Sequence, residues 1–145
     1  MVLYRHRDGK AEVLLVHPGG PFWARKDDGA WSIPKGEIGP GEAPIDVARR
    51  EFEEELGAKA PDGDLWPLGL VRQAGGKLVR AWAAPGDFDV DGLESMTFEL
   101  EWPPRSGKKR AFPEVDRAAW FDLEEARRKI LAGQAPFIDR IEQIV

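Results

Sequence analysis

Apolar residues at the start of the chain are arranged as two short strands. The segment MVLYRHRDGKAEVLLVH holds two apolar runs on either side of Asp8-Gly9, a dipeptide that favours the type I′ turn of a tight hairpin. Residues 17–30 and the following segment WSIPKGEIGPGEA are rich in glycine and proline, a composition typical of loops. The pattern predicts a β-hairpin followed by a long connection.

From Pro44 to Leu56 the spacing of apolar residues changes to that of a helix. The apolar positions are three, four and four residues apart and form one stripe: Ile45, Ala48, Phe52 and Leu56. Proline suits the first position of a helix, and Gly57 stands where a left-handed C-terminal cap belongs. The pattern predicts a helix over this segment.

The second half of the chain alternates as strands do and then becomes helical. Strands are predicted in LWPLGLVRQ, KLVRAWAA, MTFELEW and VDRAAWF, and residues 103–112 are predicted to form a basic loop. Asp122 and Glu125 have the spacing of a capping box for a helix over residues 123–133, and an amphipathic stretch follows at 136–145. Strands on both sides of a loop and helix predict a single α/β domain over residues 1–145, an α/β/α sandwich around a mixed sheet.

Composition and charge exclude several kinds of chemistry. The formal net charge of −5 argues against a protein that binds a nucleic-acid polymer through a broad cationic face. The absence of cysteine excludes disulfides and thiolate metal sites, and two histidines are too few for an imidazole metal cage. We expect no membrane segment, because no apolar run approaches about 18 residues, and we expect a cytoplasmic protein without a signal peptide.

The segment REFEEELGA crowds glutamates onto the predicted helix. At about 100° per residue, Glu51, Glu54 and Glu55 share about a third of the helix circumference, where like charges repel. A divalent cation such as Mg²⁺, which prefers hard oxygen ligands, would relieve this repulsion and bridge the acidic protein to a phosphate-bearing substrate. Taken by itself, the helix favours the other interpretation, because charge runs on helices are usually solvated faces.

The segment from Gly36 to Ala58 matches the pattern G-x5-E-x7-R-E-U-x-E-E-x-G-U, in which U is apolar. In this respect the chain resembles the Nudix hydrolases, although Ala58 stands where a larger aliphatic residue is usual. The resemblance implies the Nudix-type sandwich fold and hydrolysis of a pyrophosphate bond in a nucleoside diphosphate linked to another moiety. It also implies Mg²⁺ or Mn²⁺ as the cofactor.

The same resemblance implies a role for each residue of the motif. The implied metal ligands are the carboxylates of the motif, one backbone carbonyl and one downstream glutamate: Gly36, Glu51, Glu54, Glu55 and Glu114. Either Glu51 or Glu54 would accept a proton from the attacking water, and Arg50 would pair with Glu42 or Glu51 to hold the loop against the helix. For Glu114, a surface charge ahead of a strand is the alternative.

For the substrate, the lead-in IPKGEIGPGE resembles that of the diadenosine and diphosphoinositol polyphosphate hydrolases of the family. This favours a dinucleoside polyphosphate such as diadenosine tetraphosphate, with Lys35 at a phosphate and Trp23 stacked on a base. Lys109 and Arg105 belong to the basic loop, which could close on a polyphosphate tail. The alternatives are an NTP pyrophosphohydrolase, a non-catalytic nucleotide sensor or a merely acidic domain. The sequence is compatible with either a monomer or a homodimer.

Overall fold

Within residues 1–35 and 40–145, which the computed structural model describes, the chain forms seven strands, three α-helices and three short 3₁₀ turns. The strands are β1 (Val2–Arg7), β2 (Lys10–Pro18), β3 (Trp66–Arg72), β4 (Leu78–Pro85), β5 (Thr97–Glu101), β6 (Lys109–Pro113) and β7 (Val115–Asp122). The helices are α1 (Pro44–Leu56), α2 (Leu123–Lys129) and α3 (Ala135–Glu142). None of these helices has both the length and the hydropathy required to cross a membrane.

Five strands form a mixed sheet in the order β3-β4-β1-β2-β7, and β5 and β6 form a separate two-stranded hairpin. Strand β1 runs parallel to β4, whereas the other neighbours are antiparallel. The predicted first hairpin is confirmed. Its turn residues Asp8 and Gly9 have φ values of 51° and 77°, and both must be positive in a type I′ turn.

The central strands are apolar on both faces because helices cover both sides of the sheet. Val2 and Val13 pack in one cluster with Phe137 of α3, and that cluster also includes residues of α2. Their chain neighbours Leu3 and Leu14 point the other way and pack against α1. Successive side chains of a strand point to opposite faces, so a strand buried on both sides has a continuous apolar run. The predicted α/β/α sandwich around a mixed sheet is confirmed.

Helix α1 has the predicted bounds and cap. Its proline occupies the first turn, Phe52 and Leu56 are almost fully buried, and Gly57 adopts φ 71° and donates its N–H to the carbonyl of Glu53. These buried side chains fix the rotation of the helix about its axis. The glutamates between them are therefore held together off the apolar stripe.

Two predictions about the second half of the chain are wrong. Residues 109–112 are not loop: β6 begins at Lys109 and pairs with β5, where Lys109 lies opposite Glu101. The hairpin is largely exposed, so its polar composition resembles that of a loop. Helix α2 ends at Lys129 rather than at residue 133, because Ile130 becomes extended, is buried and forms a parallel bridge with Trp31.

Candidate functional site

Three carboxylates converge where half-buried residues of α1 meet the chain between β6 and β7. Oxygen atoms of Glu51, Glu54 and Glu114 all lie within 4.8 Å of one another. Glu51 and Glu54 are one turn apart on the helix, and Glu114 is sixty residues further along the chain. The fold thus supplies the downstream carboxylate that the sequence could suggest but not locate.

Backbone hydrogen bonds hold Glu114 in this position. Its N–H donates to the carbonyl of Met96 (2.8 Å), and the N–H of Met96 donates to the carbonyl of Glu54 (2.8 Å). On its other side, the Glu114 carbonyl accepts the N–H of Gly19 (2.9 Å). Backbone hydrogen bonds thus connect Glu114 to the loop after β2 and to the residue before β5, which is in turn bonded to α1. These connections position the Glu114 carboxylate.

Two carboxyl groups of this cluster, those of Glu51 and Glu114, have raised pKa values. Burial, together with repulsion from Glu54 and Glu114, raises the pKa of the Glu51 carboxyl. Burial and repulsion from Glu54 also raise the pKa of Glu114. Every donor in the cluster is a hard oxygen, and each pKa shift is one that a nearby positive charge would reverse. These residues fit a divalent cation such as Mg²⁺.

Glu55 lies beside this cluster, and its oxygens are not among the three that converge. Its Oε2 atom accepts the backbone N–H of Lys35 (2.9 Å), so it ties α1 to the chain that precedes the Gly/Pro-rich loop. Burial, reinforced by repulsion from Glu51, raises the pKa of Glu55 to about 8. The predicted ligand thus lies next to the cluster and forms a link to the loop.

From the sequence, Arg50 was expected to pair with Glu42 or Glu51, and in the structure it contacts both. Its Nη1 donates to Oε2 of Glu42 (2.5 Å), and its Nη2 lies 3.8 Å from Oε1 of Glu51. The hydrogen bond to Glu42 is the main reason that the pKa of Arg50 is raised. Arg50 therefore connects the loop before α1 to a carboxylate of the cluster. Gly36, the predicted carbonyl ligand, lies outside the described residues.

A cleft of about 200 Å³ lies next to the acidic cluster. Glu114 and Glu55 form part of its wall, and two predicted substrate contacts, Trp23 and Lys35, form another part. The remaining lining is mostly apolar and includes Val16 and Leu131. Acidic, cationic and aromatic side chains thus meet in one depression.

The other two predicted substrate contacts lie on the β5–β6 hairpin and are not part of the lining of this cleft. Arg105 is in the turn at the hairpin tip, with φ 62°. Lys109 is exposed and is paired across the hairpin with Glu101.

Sequence reasoning missed a buried histidine that supports the cleft. The His17 side chain is fully buried, with Nδ1 at 2.7 Å from Oδ1 of Asp116 and Nε2 at 2.6 Å from the carbonyl of Lys26. The N–H of Lys26 in turn donates to the carbonyl of Trp23. His17 therefore links β7 to the turn that carries Trp23. A lone histidine at the end of an apolar strand, directly before Pro-Gly-Gly, was the available signal.

Together, the fold and the cluster define a class of α/β/α domains in which one helix presents carboxylates suited to a divalent cation. The family description NUDIX domain matches residues 1–141 of the chain. The chain belongs to the Nudix family, as its motif indicated.

Curated relatives match the chain over a shorter stretch. An RNA pyrophosphohydrolase of Erythrobacter litoralis is 38% identical over 65 residues, which are 42% of this chain and 40% of that protein. An RNA pyrophosphohydrolase of Pseudomonas putida is 37% identical over 54 residues, or 37% of this chain and 34% of that protein. The chain thus spans about two fifths or less of the length of these relatives.

Solved structures match over nearly the whole chain. The Ap4A hydrolase of C. elegans, in a binary complex, has a TM-score of 0.68 at 23% identity and covers 99% of this chain and 93% of its own. The NUDIX domain of Shewanella oneidensis NrtR, complexed with ADP ribose, has a TM-score of 0.61 at 19% identity, with coverages of 99% and 83%. These similarities confirm the predicted Nudix fold.

Proposed function

We propose that the protein hydrolyses a pyrophosphate bond of a nucleotide with the help of Mg²⁺ or Mn²⁺, and that its substrate is a dinucleoside polyphosphate such as diadenosine tetraphosphate. The observation that carries this proposal is the convergence of Glu51, Glu54 and Glu114 within 4.8 Å. The adjoining cleft, with Trp23 and Lys35 in its wall, supports it.

The three carboxylates would hold the cation. When bound, the ion supplies positive charge to phosphate oxygens and lowers the pKa of a bound water. Glu51 or Glu54 accepts a proton from the attacking water, whose oxygen forms the new bond to phosphorus while the bridging P–O bond breaks. Arg50 keeps Glu51 oriented through its contacts with Glu51 and Glu42. No covalent intermediate with the enzyme is required.

The cleft accounts for binding of the nucleotide. The Trp23 ring offers a face on which a base can stack, whichever base it is. Lys35, in the wall of the same cleft, supplies a positive charge for a phosphate. The names of the relatives, RNA pyrophosphohydrolase and Ap4A hydrolase, support cleavage between phosphates. The resemblance of the Lys35 segment to dinucleotide hydrolases favours diadenosine tetraphosphate over a simple NTP.

The test is hydrolysis of a panel of dinucleoside polyphosphates, NTPs, NDP-sugars and ADP-ribose with Mg²⁺, with identification of the products. Diadenosine tetraphosphate should yield ATP and AMP, or two ADP. An NTP pyrophosphohydrolase would instead release pyrophosphate and a monophosphate. Binding of nucleotides without any metal-stimulated hydrolysis would indicate a sensor.

Substitution of two neighbouring glutamates, one at a time, tests the assignment of the site. Glu54→Gln should lower kcat by about 100-fold or more, the scale of a lost proton-transfer or metal-binding group. Glu53→Gln is the matched control, because Glu53 is exposed and its Oε2 only accepts the N–H of Ala60 (2.9 Å), a bond that glutamine can keep. If Glu54→Gln retains the wild-type rate at saturating Mg²⁺, the site is assigned wrongly.

A further inference from the structure

The segment that precedes β5 runs along the C-terminal end of α1. The last carbonyls of a helix have no partner within the helix. In α1, the carbonyl of Glu54 accepts the N–H of Met96 (2.8 Å), and the carbonyl of Leu56 accepts the N–H of Glu94 (3.2 Å). A Cβ atom at Gly57 would lie 2.4 Å from the carbonyl oxygen of Glu94, so the segment passes directly over the end of the helix. Its position is therefore fixed relative to α1.

From this segment, the Ser95 side chain contacts the backbone next to Glu114. The N–H of Val115 donates to Oγ of Ser95 (3.0 Å), and the Ser95 hydroxyl donates to the carbonyl of Met96 (2.9 Å). The same Met96 carbonyl accepts the N–H of Glu114 (2.8 Å). Because Val115 is buried, its N–H depends on a partner within the protein. The Ser95 hydroxyl is that partner.

These bonds act on the two peptide units that flank the Cα atom of Glu114. A peptide unit is planar, so the orientations of the two flanking units set the direction in which a side chain leaves the backbone. The unit before Glu114 is held through its N–H by the carbonyl of Met96. The unit after Glu114 is held through its carbonyl by Gly19 and through its N–H by Ser95. Of these three anchors, only the one at Ser95 is a side chain.

We propose that Ser95 is a positioning residue of the metal site: its hydroxyl fixes the backbone of Glu114 and thereby directs the Glu114 carboxylate toward the two carboxylates of α1. This role rests on the proposed function, because it requires that the three carboxylates hold a cation.

The reason is the cost of an unsatisfied group. Without the hydroxyl, the buried N–H of Val115 loses its acceptor, which favours rotation of that peptide unit toward another partner. The side chain of Glu114 turns with the unit and leaves the geometry that a shared cation requires. Loss of a group that orients a metal ligand typically lowers metal affinity about 10- to 100-fold.

The test is binding of Mn²⁺ without nucleotide, measured from the EPR signal of the free ion. We expect Ser95→Ala to raise the Kd for Mn²⁺ about tenfold. Ser95→Thr, which keeps the hydroxyl, should stay within about threefold of the wild type. The matched control is Ser106→Ala, because the Ser106 hydroxyl also accepts a backbone N–H, that of Lys108 (3.2 Å), but lies at the exposed tip of the β5–β6 hairpin. It should change the Kd by no more than about twofold.

A double-mutant cycle shows whether Ser95 acts through Glu114. Glu114→Gln by itself should weaken Mn²⁺ binding, and in that background Ser95→Ala should change the Kd by no more than about twofold. Urea unfolding in EDTA checks that Ser95→Ala is folded. If it is not, Ser95→Cys replaces it, because a thiol is only a weak acceptor and should also weaken Mn²⁺ binding through Glu114.

The role of Ser95 is overturned if Ser95→Ala binds Mn²⁺ as tightly as the wild type, or if Ser95→Thr loses as much affinity as Ser95→Ala. It is also overturned if Ser95→Ala weakens binding as much in the Glu114→Gln background as in the wild type. These binding results do not depend on turnover. Failure of the wild-type protein to hydrolyse any member of the panel would instead contradict the proposed function.

Discussion

Replacing Gly19 with alanine tests how the loop that carries Trp23 is held against the β5–β6 hairpin. Gly19 is buried, and its N–H donates to the carbonyl of Glu114 at 2.9 Å. A Cβ atom at this position would be 1.9 Å from the carbonyl oxygen of Pro113 and 2.9 Å from its carbon. Since real Cβ contacts essentially never fall below 3.0 Å, the two backbone segments would have to separate by about 1 Å.

The magnitude follows from what this separation breaks. The hydrogen bond from Gly19 to Glu114 would lengthen from 2.9 Å to beyond bonding distance, which costs about 1 kcal/mol. Forcing extra volume into a packed site costs about 1–3 kcal/mol more. We therefore expect Gly19→Ala to lower the free energy of unfolding by about 2–4 kcal/mol. Because Glu114 would move with its backbone, kcat should fall as well.

Stability is measured by urea unfolding. A shift in the midpoint urea concentration reports the change in stability as long as the dependence of the unfolding free energy on urea concentration is unchanged. Gly63→Ala is the matched control, because Gly63 is exposed, has no positive φ, and has open space within 4 Å of the point where an alanine Cβ would lie. It should change stability by no more than about 0.5 kcal/mol. The reasoning is refuted if Gly19→Ala unfolds at the same urea concentration as the wild type, or is no less stable than Gly63→Ala.

Two further predictions concern the cleft. The pKa of Glu55 is raised from 4.5 to about 8, so between these values the folded protein keeps a proton that the unfolded chain has released, and stability falls as pH rises. The free energy of unfolding of Glu55→Gln, relative to that of the wild type, should therefore increase by about 3–4 kcal/mol from pH 5 to 8. It is measured by urea unfolding in EDTA. A difference that does not depend on pH would contradict the burial of Glu55. Trp23→Ala should raise KM for diadenosine tetraphosphate about tenfold or more with kcat within threefold in steady-state kinetics, whereas an unchanged KM would exclude stacking on Trp23.

Much of the fold could be predicted because its signals are local. The bounds and cap of α1 follow from the apolar spacing, Pro44 and Gly57, and the first hairpin follows from Asp8-Gly9. These features depend on residues a few positions apart, whose periodicity and turn geometry are visible in the sequence. The hairpin of β5 and β6 was missed in part because an exposed strand needs no apolar alternation on its outer side.

Only the part of the candidate site that lies on one helix could be predicted from the sequence. The spacing of Glu51 and Glu54 predicts that they are neighbours on α1, and their convergence with Glu114 within 4.8 Å depends on the packing of the hairpin against that helix. In the same way, the contact of His17 with Asp116 joins residues 99 positions apart.

By itself, then, the sequence determined the family, the main helix and the position of Glu51 and Glu54 as neighbours on it, because each depends on residue type and short spacing. Only the tertiary structure decided that Glu114 joins the cluster, and that Arg110 and Lys109 lie on opposite faces of the β5–β6 hairpin. The physical reason is strand register. Successive side chains point to opposite faces, so one position in the pairing determines the face of the hairpin on which a cation lies.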